Sequence, residues 1–430
     1  MAVPTAPSRT KGSSGPDESP SALLLILQKL RNSLGRPLIA VVLAIVLGGI
    51  MIIVTSKGTL DERFTAALTA YDALFFGAFG TLQNFSSTLD NMIPLILCGL
   101  SVSIAFRAGL FNIGAEGQLA MGAMTAGILG LTCSSWPGWL LIPVMILGGV
   151  LAGAIWGGLV GFLKAWRGAH EVVTTIMLNW IAFFFTDFLI SGPFKAPQLS
   201  NQTQSMPVQV RLPRLAVFYN QTLGTFLPPI ERPEQYFVDV SFLIAILVLV
   251  FYWFITARTT FGYQTKVVGQ NPRAAEYAGI SVKRNMVLAM ALAGGFAGLA
   301  GALALMGRFP YQLIASVFRS DSTGFDAIGV SLLGHSTSIG VFLASLLFGA
   351  LRSGGQIMQL RAGVPGDLSY IIQALILFSV ATEFLPILAR KFTRRNPFQR
   401  KLAVAGPAAR PVTKEPPQAA EEKSARSKEE

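Results

Sequence analysis

The sequence predicts an all-α fold, a polytopic membrane helical bundle of about 8–10 membrane helices, some of them short or broken. Three observations predict it. Of 430 residues, 52% are hydrophobic and only 13% charged, with a mean hydropathy of +0.55; a soluble domain carries roughly 25% charge. Long uncharged apolar runs recur along the chain, many of them near the ~20 residues that a crossing helix needs. The Lys and Arg residues collect between those runs, as they do beside membrane spans.

The elements follow in order. Residues 1–36 form a cytoplasmic N-terminal segment, polar, rich in Pro, Ser and Gly, and largely disordered. Within it, 23–34 sets Lys29 and Arg31 beside Leu24, Leu25 and Leu27, the pattern of a short helix on a membrane surface. The first span, 37–54, is an uncleaved anchor, since no small-residue cleavage site follows a short apolar core. Residues 57–90 are mixed and include an interfacial helix near 66–79. The second span, 91–106, is short and ends at Arg107. The third, 111–131, is broken by glycines. A turn at Ser134-Ser135-Trp136-Pro137 leads to the fourth, 139–163, and the fifth covers 172–191. Residues 192–238 hold seven prolines. Proline lacks a backbone donor, which excludes a spanning helix there, so this is an extracytoplasmic excursion. The sixth span is 240–257, and a polar, basic loop at 258–285 precedes the seventh, 286–306. Residues 321–351 split at His335-Ser336-Thr337-Ser338 into two halves of about fourteen residues, too short to cross singly. The last span is 368–388, and 391–430 is a charged, disordered cytoplasmic tail. The single transmembrane domain thus covers 37–390.

Lys and Arg density puts both termini, 164–170 and 258–285 inside, and 57–90 and 192–238 outside. Gly149, Gly153, Gly157 and Gly161 recur every fourth residue; Gly122, Ala126 and Gly130, and Gly294, Gly298 and Ala302, repeat the pattern. That spacing smooths one helix face so that another backbone can approach. It indicates a tight bundle and names no substrate.

Several classes are excluded. The net charge of +12 is spread between spans, which argues against nucleic acid as a partner. Two cysteines and two histidines in separate segments supply neither a disulfide framework, a metal site nor a catalytic cluster, so no catalytic residue, metal or cofactor is expected. No Gly-x-x-x-x-Gly-Lys-Ser/Thr phosphate loop occurs, and Ser353-Gly354-Gly355-Gln356 reads as a helix end that turns on its glycines.

The intramembrane polar residues are the candidates for chemistry. Phe111-Asn112-Ile113-Gly114-Ala115-Glu116-Gly117-Gln118 places three polar side chains in an apolar run. An acid in hydrocarbon costs roughly 2.5–3.5 kcal/mol on insertion scales, so Asn112, Glu116 and Gln118 face protein, a lipid–water boundary or a water-filled path. Glu116 either lines that path or pairs with Arg107. Asn112 shares its helix face if the segment is helical. Thr175 and Asn179 add neutral hydrogen-bonding groups, although Thr174 and Thr175 can bond back to their own helix. Asp321, Asp326, Ser322 and Thr323 suit the start of the first short helix, and His335 suits its turn.

One inner loop forms a unit. In Gly269-Gln270-Asn271-Pro272-Arg273-Ala274-Ala275-Glu276-Tyr277-Ala278-Gly279-Ile280, Asn271 caps a helix, Pro272 fits its first position and Gly279 its end. The small face of this helix, with Ala274 and Ala275, is offered to a cytosolic partner.

These three stretches, 111–122, Glu171-Val172-Val173-Thr174-Thr175-Ile176-Met177-Leu178-Asn179-Trp180 and 269–280, resemble the permease subunits of bacterial nucleoside and simple-sugar ABC importers, within the ribose and branched-chain amino acid permease group. The resemblance covers about residues 37–390. It implies a transport subunit, not an enzyme, in the bacterial inner membrane. It also implies a second permease subunit as a heterodimer partner, a cytosolic ATPase with two fused nucleotide-binding domains and an extracytoplasmic substrate-binding lipoprotein, all embedded in or docked on membrane lipid. Asn271, Arg273, Ala274, Ala275, Tyr277 and Gly279 would then form the coupling helix, and Asn112, Glu116, Gln118, Thr175 and Asn179 the substrate path. Two rivals stay open at this point, an ion-coupled secondary transporter and a passive channel.

Overall fold

Every regular element in the computed structural model is helical; among the described residues (41–198, 201–222, 224, 228–365 and 367–381) backbone pairing of the β type is limited to three isolated bridges. These residues lie in one unit that extends to Thr382. The surface helix expected at 23–34, the start of the first span, residues 382–388 of the last one and the tail at 391–430 fall outside them. In chain order the helices are α1 (Val41–Thr55), α2 (Leu60–Phe79), α3 (Leu82–Arg107), α4 (Ala115–Thr132), α5 (Gly138–Arg167), α6 (Glu171–Ser191), α7 (Leu215–Thr222), α8 (Ser241–Arg258), α9 (Thr260–Gln270), α10 (Pro272–Tyr277), α11 (Val282–Gly307), α12 (Val317–Ser320), α13 (Thr323–Leu333), α14 (Ser338–Ala362) and α15 (Asp367–Ala381). Six of them, α3, α5, α6, α8, α11 and α14, are long and apolar enough to cross a membrane.

Helices α3 and α11 form the centre, with 78% and 72% of their apolar windows buried against 22% for α5. The glycine stripes explain how α5 joins them. A Cβ on Gly153 would lie 2.2 Å from the Gly294 carbonyl oxygen, and one on Gly157 2.4 Å from that of Met290. Gly122 of α4 meets Gly298 in the same way. Backbone therefore touches backbone along α11, the packing that replaces a hydrophobic drive in lipid. On its other face α5 exposes Leu147, Leu151 and Ile155, one stripe at four-residue spacing.

The structure corrects several expectations. Helix α2 is longer than the expected stretch at 66–79 and packs into the bundle. It buries Ala67, Ala70, Ala73, Leu74 and Gly77, and Leu74 and Gly77 lie against Gly354 of α14. The second span starts nine residues early, at Leu82, because Thr81 caps it through Asn84 N–H at 3.1 Å. Buried Ser86 and Thr88 satisfy Val238 N–H and the Ala78 carbonyl, so these polar turns remain helical. Glycines do not break α4; the break precedes it, at 108–114. Of the two halves around His335–Ser338 only α13 is short, with 11 residues; α14 has 25. Arg352 and the Ser353–Gln356 stretch lie inside α14. His335 and Ser336 do form the turn, both with positive φ.

Two ends of the bundle are distinct. At one, the 192–238 excursion folds back on its neighbours. Gln209 Nε2 donates to the Ser134 and Trp136 carbonyls at 2.6 and 3.0 Å, and Thr203 N–H to that of Leu313 at 2.9 Å. Leu212 N–H reaches the Met306 carbonyl at the end of α11. At the other, α9 and α10 lead into the start of α11. The 26 residues of α11 hold the two ends about 39 Å apart.

Candidate functional site

The polar residues of 111–118 build a junction where α4 and α13 begin. Asn112 precedes α4, so it does not share a helix face with Glu116. Its Nδ2 donates to Gln118 Oε1 at 2.9 Å and Ser101 Oγ at 3.1 Å; its Oδ1 accepts from Gln118 Nε2 and Gly114 N–H, both at 3.1 Å. This ring folds the chain back over 108–114. The cap of α4 is Gly114, which has no side chain to satisfy the first amides. Asn179 of α6 supplies one from outside, accepting from Gly117 N–H at 3.0 Å and donating to the Ile113 carbonyl at 2.9 Å. A Cβ on Gly117 would sit 2.7 Å from Asn179 Oδ1, so glycine is required for the approach. Thr175 bonds back to the Glu171 and Val172 carbonyls at 2.8 and 2.9 Å and packs its methyl against Gly114.

Glu116 lies in the first turn of α4 with no exposed surface. Its Oε2 accepts from Gly324 N–H at the start of α13 at 2.5 Å; Oε1 has no partner among the described residues. One carboxylate thus faces the amino ends of two helices, whose partial positive charges favour an anion. This arrangement, and not an ion pair with Arg107, accounts for a buried acid here. A Cβ on Gly324 would meet Glu116 N at 2.4 Å, which fixes the close contact of α13 with α4.

All five expected path residues converge here: Asn112, Glu116, Gln118 and Asn179 by mutual or capping hydrogen bonds, Thr175 by packing. All five are buried. In this conformation the site is a closed seam, not an open channel. Beyond it lies a charged cluster in which Asp321, Thr323 and Asp326, expected at the start of α13, meet Arg352, which the sequence did not single out. Arg352 of α14 donates to Asp326 Oδ2 at 2.7 Å and to Thr323 Oγ1 at 2.9 Å, with Asp321 at 3.8 Å. Asp321 in turn accepts from Thr323 N–H and Oγ1. A cavity of about 350 Å³ beside this cluster is lined by Asn91, Asp321, Arg352, Gln356, Gln359 and Tyr370, among others. An arginine in an apolar helix marks a functional position, but in the sequence Arg352 falls just past the apolar run that ends at Leu351.

The helix expected at 269–280 forms. Asn271 Oδ1 accepts from Ala274 N–H at 3.1 Å, and Pro272 opens α10. Gly279 N–H bonds to the Glu276 carbonyl and Ile280 N–H to that of Ala275, with Gly279 at φ +73°, a complete Schellman stop. Gly109 and Gly269 touch backbone to backbone and tie this unit to the end of α3. One expectation is reversed: Ala275 points into the protein, with no exposed surface. Arg273, Ala274 and Tyr277 form the outer face, and Tyr277 is 94% exposed.

The model for a branched-chain amino acid transport system permease component matches residues 84–381. The chain belongs to this permease family. It is 35% identical over 348 residues to the guanosine ABC transporter permease NupP of Bacillus subtilis (strain 168), covering 81% of this chain and 93% of that one. The nucleoside ABC transporter permease NupB of Lactococcus lactis subsp. cremoris is 35% identical over 349 residues, with 81% and 91% covered. The glucose ABC transporter permease TsgB13 of Haloferax volcanii is 32% identical over 355, with 81% and 88% covered. The chain is therefore a multi-pass membrane permease subunit of an ABC transport system. It is not itself an enzyme; ATP hydrolysis belongs to a separate subunit. The ion-coupled and channel alternatives are not favoured.

Proposed function

We propose that this permease carries nucleosides inward across the bacterial inner membrane, with both termini on the cytoplasmic side. The observation that carries this reading is the similarity along most of the chain to permeases named for guanosine and nucleosides. The placement of α10 supports the coupling. It stands at the basic end of the bundle, with Lys266, Arg273, Lys283 and Arg284 around it, opposite the proline-rich excursion. Arg273, Ala274 and Tyr277 then meet the ATPase, a protein of two fused nucleotide-binding domains. The excursion receives substrate from an external binding lipoprotein. A second permease completes a heterodimer, in which the exposed apolar faces of α5 and α6 meet lipid or that partner.

In this cycle the seam at Glu116 and Gly324 is the part that opens. Closure of the ATPase pushes on α10, Gly269 and Gly109 pass the movement to α3, and α13 parts from α4. The alternation is a shift between two packings, during which Asn112, Gln118, Thr175 and Asn179 face an uncharged solute. Uptake of labelled nucleosides and sugars by a strain lacking this chain tests the reading. Loss of nucleoside uptake with sugar uptake intact is expected. Loss of hexose uptake alone would contradict it.

A further inference from the structure

Between α13 and α15 lies a second cavity, of about 430 Å³, lined by Ser322, Phe325, Asp326, Phe348, Tyr370 and Gln373, among others. That volume falls in the range of small-molecule sites, about 300–1,000 Å³. Its wall mixes aromatic rings with hydroxyls and a carboxylate, and the Gln373 side chain borders it. The amide is the anomaly. Gln373 is 3% exposed, and both its Nε2 and its Oε1 lack a hydrogen-bond partner among the described residues. An amide buried without partners is destabilising, and its neighbours on α15, Ile372 and Ile376, are fully buried and apolar. A leucine would serve packing better. An unsatisfied group of this kind calls for a cause other than packing. Tyr370 also lines the polar cavity described above, and the Arg352–Asp326 pair contributes one residue to each.

We propose that the Gln373 cavity is a subsite for the base of a nucleoside in transit, and that the ribose hydroxyls fall to the polar cavity across Tyr370. A glutamine amide presents an acceptor beside donors in one plane. A nucleobase edge presents the complement, as in the bidentate contact of glutamine with adenine, while Phe325 and Tyr370 offer ring faces of the sort on which bases stack. A hexose can also lay a C–H face on such rings, but it has hydroxyls in place of a planar donor–acceptor edge, so the discrimination falls to the amide. The cavity therefore distinguishes the two substrate classes found among the relatives. The amide is shielded in this conformation, and base entry turns it into the cavity. This inference rests on the import function proposed above.

The test uses the native organism with all other components intact and the chain deleted, then restored as wild type, Gln373→Leu or Phe325→Leu. Initial uptake of tritiated guanosine and of labelled glucose is measured below half-saturation, beside membrane abundance of each variant. Gln373→Leu is expected to keep its abundance and to lower guanosine uptake about tenfold, the scale of one or two lost hydrogen bonds. Phe325→Leu, at a position already 42% exposed, is expected to lower it severalfold. Unchanged guanosine uptake in Gln373→Leu overturns the subsite, and that result leaves the import function standing. If Gln373→Leu fails to reach the membrane, Phe325→Leu decides, and unchanged uptake again overturns the subsite. If the deletion abolishes glucose uptake and spares guanosine, the import function fails and the subsite with it.

Discussion

At the residue scale, Glu116 shows why an acid can be kept inside an apolar bundle. Its carboxylate replaces a missing cap at Gly324 N–H and faces two helix amino ends. Glu116→Gln keeps an acceptor for that amide, whereas Glu116→Leu leaves it unpaired at a cost of about 1–3 kcal/mol. Thermal unfolding in detergent should show a lower Tm for Glu116→Leu than for Glu116→Gln; equal values would contradict the capping role. Outside the spans, Asp239 has its pKa raised to about 6, chiefly by burial and further by Asp90, against the lowering influence of Ser241 and Arg308. A carboxyl raised in the folded state stabilises most below its unfolded pKa, near 4, and that stability is lost as pH rises through about 6. Asp239 Oδ1 accepts from Ser241 N–H at 2.7 Å, a bond that asparagine can also make. The Tm of the wild type should therefore fall between pH 5 and 7.5 by more than that of Asp239→Asn. Parallel pH profiles for the two would rule this out.

At the scale of elements, the α5–α11 contact is backbone on backbone, so bulk at its centre has nowhere to go. Gly153→Val is expected to destabilise by about 1–3 kcal/mol or more, read as reduced folded protein in size-exclusion profiles. Gly158→Val, where the nearest atom to an added Cβ is 3.4 Å away, should be mild by comparison. Helix α10 divides in the same way. Ala275→Glu buries a charge and should fail to fold, while Tyr277→Ala should fold normally and lose ATP-driven uptake about tenfold or more, as loss of an exposed aromatic anchor does. Normal uptake in Tyr277→Ala would remove α10 from the coupling role. Much of this was legible in the sequence. Long apolar runs gave most of the spans, and Asn271, Pro272 and Gly279 gave both ends of α10. What it missed depended on partners distant in the chain. The polar first turns of α3 are helical because Val238 and Ala78 take up Ser86 and Thr88. Helix α14 runs past Arg352 because Asp326 receives the charge. Asn179 was legible as a buried polar group, but its use as a cap for α4 required knowing that α6 lies beside Gly117.

At the scale of the whole molecule, the chain is a two-ended device. A small, capped helix with an exposed tyrosine stands at one end and a proline-rich cover at the other. Between them α3 and α11 form a core, and the polar seam beside it at Glu116 is held by hydrogen bonds, several of them helix caps. Nothing in the sequence supplies a phosphate loop, and the work falls to the separate ATPase subunit while the seam opens. The central claim is that transport against a gradient needs that subunit. The direct measurement is guanosine accumulation in proteoliposomes, first with this permease alone, then with its ATPase, second permease and binding protein added. No accumulation is expected from the permease alone, and ATP-dependent accumulation from the full set. Uphill accumulation by the permease alone, driven by an imposed ion gradient and collapsed by an ionophore, would contradict it.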